Sequence, residues 1–146
     1  MAKESISRLN GLIETCKDAE NDYLRATKFF EGTDFMSIFK KYAEQRHRFV
    51  LELQERVNLL GGDPEDSGSI SASVQRGWLN IKSMISGESV DEIVEECLSS
   101  EDTAIENYKN VLSLDLPANL KSLIRHQYEE IKKARDHLSL LEKGLT

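Results

Sequence analysis

Residues that interrupt helices are scarce in this sequence: only two prolines and eight glycines occur among 146 residues. The two cysteines are too few for a disulfide framework and are typical of reduced, intracellular thiols. No apolar run approaches the roughly 18 residues that a membrane-spanning helix needs, and the first residues lack the apolar core of a signal peptide. These absences predict a cytoplasmic protein made of long helices.

Positive charge is also in short supply, because 26 acidic residues outnumber 19 Lys and Arg and leave a net charge of -7. No basic cluster interrupts this balance. Such a surface repels phosphate groups, so neither nucleic acid nor an anionic membrane is expected as a partner. The sequence also lacks a glycine-rich phosphate loop, a nucleophile elbow and a cysteine-pair zinc motif. The sequence is compatible with a homo-oligomer, and it indicates no particular partner protein.

Apolar residues recur at helical spacing through most of the chain and predict an all-α protein, a single domain over residues 1–146. Gly61-Gly62 is expected to end a helix, and Ser89-x-x-Glu92 forms a capping box that opens one. The predicted elements are helix 1 from about Ser5 to Glu31 before Gly32, helix 2 from Thr33 or Asp34 to Leu60, a short helix capped by Ser69 and ended by Gly87, helix 3 from Ser89 to about Ser113, and helix 4 from Pro117.

Two tight turns and one long connection define the predicted topology. Helices 1 and 2, and likewise helices 3 and 4, are joined by short turns, so each pair is predicted to pack antiparallel. Roughly 28 residues with their own short helix separate helices 2 and 3, enough to return the chain along a helix that rises about 1.5 Å per residue. The pattern predicts a four-helix bundle with one long crossover, in which the two hairpins form a weak internal repeat.

Short motifs carry a resemblance to a known family. Two of them lie in the crossover, Pro64-Glu-Asp-Ser-Gly-Ser69 and Arg76-Gly-Trp78-Leu-Asn-Ile-Lys82, and the others are Leu12-Ile-Glu-Thr and Lys17-Asp-Ala-Glu20 in helix 1, Glu101-Asp102 in helix 3 and Gln127-Tyr128-Glu129 in helix 4. With these motifs the chain resembles, over nearly its whole length, a bacterial ferritin-like four-helix-bundle family of unknown function. The resemblance implies the fold but little of the function, because chemistry depends on the site and not on the fold.

The pattern Cys-x-x-x-Glu occurs twice, from Cys16 to Glu20 in helix 1 and from Cys97 to Glu101 in helix 3. In both copies the glutamate falls on the helix stripe that otherwise carries apolar residues. A carboxylate that faces a core is costly unless it is paired or binds metal. The repeat therefore predicts a bundle with an ionisable centre that contains both glutamates.

Ferritin-like di-metal proteins supply one Glu from each of two helices and a Glu-x-x-His from each of the other two. Glu20 and Glu101 match the first requirement, and Glu44-Gln-Arg-His47 looks like the second. At about 100° per residue, however, Glu44 and His47 lie off the apolar stripe of helix 2, which is centred near Tyr42. We expect both to be ordinary solvated residues.

Helix 4 contains no Glu-x-x-His, and its two histidines, His126 and His137, project away from the apolar stripe. The stripe instead carries Arg135, and the same geometry turns Arg46 of helix 2 inward. Because an arginine stays protonated and offers a planar fork of donors to a carboxylate, it repels a divalent cation and occupies its place. The predicted buried polar centre consists of Glu20, Arg46, Glu101 and Arg135.

Heights along the bundle suggest which charges pair. Counted from the turn between helices 1 and 2, Glu20 and Arg46 lie at nearly the same height, whereas Arg135 lies one to two turns farther from its own turn than Glu101. This arrangement predicts an interior without metal or any other cofactor. The alternative is that the arginines reach the edge of the bundle and leave Glu20 and Glu101 to bind iron or manganese.

Three further features have an ordinary and a functional interpretation. Cys16 and Cys97 lie on equivalent faces of adjoining helices, where buried structural thiols are the commoner case and a redox disulfide is the alternative. Tyr23 and Tyr108 are expected to line the interior near the glutamates, either as core residues or as hydrogen-bonding or radical partners in an oxidase. Trp78 is expected to anchor the crossover helix to the bundle, and the alternative is that Ile70, Val74 and Ile81 beside it form a dimer surface.

Two hypotheses on function follow from the two interpretations of the centre. The first is a non-enzymatic cytoplasmic bundle that acts as an interaction or assembly module, with a stress-related role suggested only by the resemblance to ferritin-like proteins. The second is a di-iron or di-manganese protein with oxidase or storage activity, in which Glu20 and Glu101 bridge two metals. The inward positions of Arg46 and Arg135 favour the first.

Overall fold

The computed structural model describes residues 2–64 and 89–145, and within these ranges all regular structure is helical. The helices are α1 (Ala2–Phe29), α2 (Met36–Leu59), α3 (Val90–Leu112) and α4 (Ala118–Leu145). The predicted all-α class and the four long helices are confirmed, although α1 begins earlier than expected. The predicted short helix after Ser69, with Trp78, lies outside the described residues.

Local chemistry explains where three of the helices begin or end. Gly32 and Gly61 adopt positive φ angles of 85° and 81°, a conformation that glycine enters without a steric penalty, and they follow α1 and α2 as predicted. Ser89 caps α3, because its hydroxyl oxygen accepts a hydrogen bond from the backbone N–H of Glu92 at 3.3 Å.

The start of α2 differs from the prediction. Phe35 precedes that helix and makes no side-chain cap. Thr33, one of the two expected caps, instead holds the turn together: its hydroxyl donates to the carbonyl oxygen of Phe30 at 2.7 Å and accepts from the Phe35 N–H at 3.2 Å. The turn therefore satisfies its own backbone groups, and α2 begins only at Met36.

The packing of the helices defines the bundle. Helix α1 packs along both α2 and α3, α3 packs along α4, and α2 and α4 touch only slightly. The two hairpins are thus neighbours through α1 and α3, while α2 and α3 face each other diagonally. None of the four described helices combines the length and apolarity that crossing a membrane would require.

Two apolar clusters fill the core, one toward each end of the bundle. On α2 the break between the clusters runs from Ala43 to Phe49, and Arg46 lies within it. On α3 the corresponding break contains Glu101. The two buried charges therefore form a polar layer at mid-height of the bundle, and this layer is the candidate functional site.

Candidate functional site

A fully buried ion pair occupies the polar layer. Arg46 from α2 and Glu101 from α3 both have side chains that are 0% exposed. The two terminal nitrogens of Arg46 donate to the two carboxylate oxygens of Glu101, and the Nη2–Oε2 distance is 2.5 Å. This two-point geometry is the strong form of an arginine–carboxylate contact. It joins diagonally opposed helices across the core.

Neighbouring side chains form hydrogen bonds with both members of the ion pair. The hydroxyl of Tyr23 donates to Oε2 of Glu101 at 2.6 Å, and Nε of Arg46 donates to Oε1 of Gln45 at 3.2 Å. Burial alone would lower the pKa of Arg46, but the Glu101 carboxylate outweighs it and raises the pKa, so the guanidinium stays charged. Burial raises the pKa of Tyr23 well above its usual range, which keeps the phenol a neutral donor.

Glu20 has a different partner from the one predicted. Its side chain is buried on α1, but Oε2 lies 3.2 Å from Nδ1 of His47 on α2, and Glu101 takes the guanidinium of Arg46. The other oxygen, Oε1, is buried without a hydrogen-bond partner. Burial raises the pKa of Glu20, while the neighbouring His47 and then Lys17 oppose that rise. Glu20 therefore connects the interior to the surface of the α1–α2 hairpin.

Arg135 does not belong to the buried centre, so this prediction is wrong. Its side chain is 38% exposed, and its Nε donates to Oδ1 of Asp102, itself 59% exposed, at 3.0 Å. The inward position on α4 belongs to Ala134, which is fully buried together with Ile131 and Leu138. One residue along a helix turns the side chain by about 100°, and this step carries Arg135 to the edge of the bundle.

A second polar chain runs from the core toward the α2–α4 edge. Sγ of Cys16 lies 3.1 Å from the hydroxyl of Tyr108, which donates to Oε1 of Gln127 at 2.7 Å. Nε2 of Gln127 in turn donates to Oε1 of the half-buried Glu52 at 3.0 Å. Tyr108 was expected near the glutamates of the centre, and it bonds instead to an amide and a thiol.

Sequence reasoning missed two residues that hydrogen-bond to buried side chains. Gln127 is fully buried, and its position three residues after Ile124 and four before Ile131 marks it as part of the apolar stripe of α4. His137 is exposed as predicted, yet its Nδ1 lies 2.5 Å from the hydroxyl of the buried Tyr42. The helical period alone predicts that Gln127 faces the core. The contact between Tyr42 of α2 and His137 of α4 depends on how the two helices pack, which the period does not give.

The two cysteines are free thiols in the core. Burial raises the pKa of Cys16 to about 11 and also raises that of Cys97, whose Sγ donates to the backbone oxygen of Asp22 at 3.7 Å. Because the thiolate is the reactive form, a raised pKa makes both thiols poor nucleophiles near neutral pH. The geometry favours the structural interpretation over a redox disulfide.

A mostly buried carboxylate lies between α1 and α3. Asp22 accepts a hydrogen bond from the hydroxyl of Ser100, and on the same face Arg25 binds Glu96 with an N–O distance of 2.7 Å. Burial raises the pKa of Asp22 to about 6, against the opposing effect of the Ser100 hydrogen bond. This group therefore changes charge within the range of ordinary buffers.

The donor set does not fit a di-metal centre. Both oxygens of Glu101 accept from Arg46, and Glu44 and His47 are exposed, as predicted. Within residues 2–64 and 89–145, no three His, Cys, Asp or Glu side chains converge in a way that could hold a metal ion. The inward residues instead neutralise one another, with one cation and one carboxylate at the centre.

Comparison with solved structures finds a crystal structure of a two-domain protein from Anabaena variabilis ATCC 29413 that contains DJ-1/ThiJ/PfpI-like and ferritin-like domains. The match has a TM-score of 0.80 at 15% sequence identity and covers 100% of this chain but only 41% of that chain. At this identity the likeness shows the fold alone, and it confirms the predicted ferritin-like bundle. A comparison with curated proteins finds no match.

A family model matches residues 4–114, which is more than half of the chain and includes nearly all of α1 together with α2, the crossover and α3. The match agrees with the resemblance inferred from the motifs, which pointed to a ferritin-like family without an assigned role. The four helices and the ferritin-like neighbour agree with it as well. The chain belongs to the family described as Domain of unknown function (DUF2383).

Proposed function

We propose that this chain is a non-enzymatic, ferritin-like bundle whose centre is held by charge pairing instead of metal, and that it acts as an interaction or assembly module in the bacterial cytoplasm. The two-point contact between Arg46 and Glu101 supports this proposal most directly. Because fixed donors occupy both carboxylate oxygens, Glu101 becomes available to a metal only after Arg46 is expelled. The cytoplasmic location rests on the two reduced thiols and the acidic composition.

The energetics of expelling Arg46 oppose metal binding. A guanidinium with no solvent exposure that lost Glu101 would remain as an uncompensated buried charge, at a cost of roughly 3–5 kcal/mol. A metal ion would have to supply that free energy in addition to its own dehydration. The carboxylate of Glu20 could not replace the lost ligand alone, because a di-metal centre of this fold uses four carboxylates and two histidines.

An interaction role is supported by what the neighbouring structure contains. In the Anabaena protein a ferritin-like domain is joined to a DJ-1/ThiJ/PfpI-like domain. A bundle of this fold can therefore serve as one part of a larger protein. For the present chain we propose an equivalent role as a module that associates with another protein or with a second copy of itself.

Iron or manganese binding is the rival function, and one observation favours it. Oε1 of Glu20 is buried without a partner, and Nδ1 of His47 lies 3.2 Å from the other oxygen of the same carboxylate. These two groups supply donors on one side of the α1–α2 hairpin. A single weakly held ion there would not amount to the bridged pair of metals that oxidase chemistry requires.

Metal content and thermal stability test the proposal together. We expect protein purified without chelator to contain no stoichiometric iron or manganese, and its melting temperature to stay unchanged on addition of Mn²⁺ or anaerobic Fe²⁺. A true site at 100 times its dissociation constant would stabilise the fold by about 2.7 kcal/mol, which a melting curve resolves. Glu44→Ala, which removes an exposed carboxylate, is the matched control for adventitious ions. A metal-induced rise in melting temperature that disappears in Glu20→Ala or Glu101→Ala but persists in Glu44→Ala would overturn the proposal of a metal-free centre.

A further inference from the structure

The three buried tyrosines differ in the group that receives the phenolic hydrogen bond. Tyr23 donates to Glu101, whose two oxygens are already held by Arg46. Tyr108 donates to the amide oxygen of Gln127, which is not a base. Neither hydroxyl therefore faces a group that is ready to take its proton.

Tyr42 is the exception among these three. Its side chain is 6% exposed, yet its hydroxyl oxygen lies 2.5 Å from Nδ1 of His137, and His137 is exposed on α4. In the tautomer that carries its proton on Nε2, the imidazole accepts the hydrogen bond from Tyr42. A buried phenol is thus directly linked to a base that exchanges protons with solvent.

This arrangement suits one-electron oxidation. Removing an electron from a phenol makes the hydroxyl a very strong acid, so oxidation is easiest where a hydrogen-bonded base takes the proton at the same time. We propose that Tyr42 and His137 form a proton-coupled electron-donating site that reduces radical oxidants such as peroxyl radicals. The site is separate from the buried ion pair and does not depend on the absence of metal.

In the proposed oxidation of Tyr42, each electron and each proton has a defined donor and acceptor. One electron leaves the Tyr42 ring for the peroxyl radical, which becomes a peroxide anion, while the phenolic proton moves to Nδ1 of His137. The imidazolium then releases a proton to solvent and the peroxide anion takes one up, so that a hydroperoxide and a neutral tyrosyl radical remain. A thiolate in solution then gives one electron to the tyrosyl radical and becomes a thiyl radical, while a proton from solvent returns to the phenolic oxygen, which restores tyrosine.

The surroundings favour coupled transfer over prior loss of the proton. Burial raises the pKa of Tyr42, with Glu101 and Glu130 adding to the rise and Arg46 opposing it, so the phenolate is not populated near neutral pH. Lys41 lies over the ring, with Nζ 5.6 Å from its centroid. The Tyr23 ring packs against the Tyr42 ring, with 5.4 Å between their centroids.

Stopped-flow oxidation by hexachloroiridate(IV), a one-electron oxidant, tests the site. We expect a fast phase in the native protein that Tyr42→Phe abolishes and His137→Gln slows by about a hundredfold or more, the lower end of what a positioned base contributes. The matched controls are Tyr128→Phe, a half-buried tyrosine on α4, and His126→Gln, an exposed histidine on the same helix. Both should leave the fast phase unchanged.

A measurement in D₂O distinguishes proton transfer from a structural effect. The fast phase should slow in D₂O in the native protein and lose that dependence in His137→Gln. Circular dichroism establishes that each variant is folded, and the exposed position of His137 keeps that variant usable even if Tyr42→Phe unfolds. A fast phase that persists in Tyr42→Phe, or equal rates in His137→Gln and His126→Gln, would overturn the proposal.

Discussion

Two of the arginine–carboxylate pairs that connect helices of this bundle lie in opposite environments. Arg46 and Glu101 are both fully buried and meet through two parallel contacts. Arg135 and Asp102 are 38% and 59% exposed and meet through one contact at 3.0 Å. Each pair joins an arginine to a carboxylate, and the main difference between them is exposure to solvent.

The two pairs differ in the free energy that is needed to remove their charges from water. In the core both ions lose their hydration, which costs several kcal/mol per ion, and the geometry must compensate with Tyr23 and Gln45 as extra partners. At the surface water solvates both ions, and such pairs contribute about 0–1 kcal/mol. The buried pair is therefore no proof of added stability over an apolar core, but it is costly to break once formed.

The largest effect is expected from breaking only the buried pair. Arg46→Leu should destabilise the fold by roughly 3–5 kcal/mol, because Glu101 would remain as an unpaired buried charge. Arg135→Leu is the matched control at the surface. Chemical denaturation of both variants compares their unfolding free energies. Similar midpoints would mean that Arg46 reaches solvent and carries no structural charge pair.

Removing both charges together should cost much less than removing one. Arg46→Leu combined with Glu101→Leu leaves no uncompensated ion, so we expect the double variant to be more stable than either single one, with a coupling of about 3 kcal/mol. The hydroxyl of Tyr23 would lose its acceptor, and adding Tyr23→Phe should recover about 1 kcal/mol. Strictly additive losses would contradict a direct pairing of these residues.

Asp22 is the intermediate case, a mostly buried carboxylate with partial compensation. Its folded-state pKa of about 6 lies above the ordinary 3.8, so its contribution to stability is fully present below about pH 4 and is lost as pH rises through 6. Asp22→Asn carries no charge to bury, so it does not lose stability as the pH rises. Its free energy of unfolding should therefore increase by about 1–3 kcal/mol relative to that of the native protein between pH 4 and pH 7.5. Urea denaturation at both pH values measures the gain, and a pH-independent difference would refute the raised pKa.

The smallest effect belongs to the surface pair. Asp102→Asn should change the unfolding free energy by no more than about 0.5 kcal/mol, because water replaces the lost contact. Any difference should shrink further in 1 M salt, where the screening length falls to about 3 Å. Denaturation at low and high salt provides the measurement. A large, salt-independent loss would show that this pair is structurally equivalent to the buried one.

Where sequence reasoning failed, the failures share a cause. Ala134 and Arg135 flank the line through Ile131 and Leu138 on α4, and the apolar period alone does not say which of the two turns inward. Heights along the helices likewise pointed to Glu20 as the partner of Arg46. The long guanidinium instead crosses to Glu101 on the diagonal helix, which no count along a hairpin reveals.

The sequence by itself determined the four helices, two of the glycine stops and the Ser89 cap, because these depend on the helical period and on local backbone chemistry. It also indicated that Glu20, Arg46 and Glu101 face the interior, since each interrupts an apolar stripe. Only the tertiary structure decided which charges pair, that Arg135 leaves the core, and that Tyr42 meets His137. Those outcomes depend on the lateral packing and rotation of whole helices, and a difference of one residue step in rotation moves a side chain from the core to water.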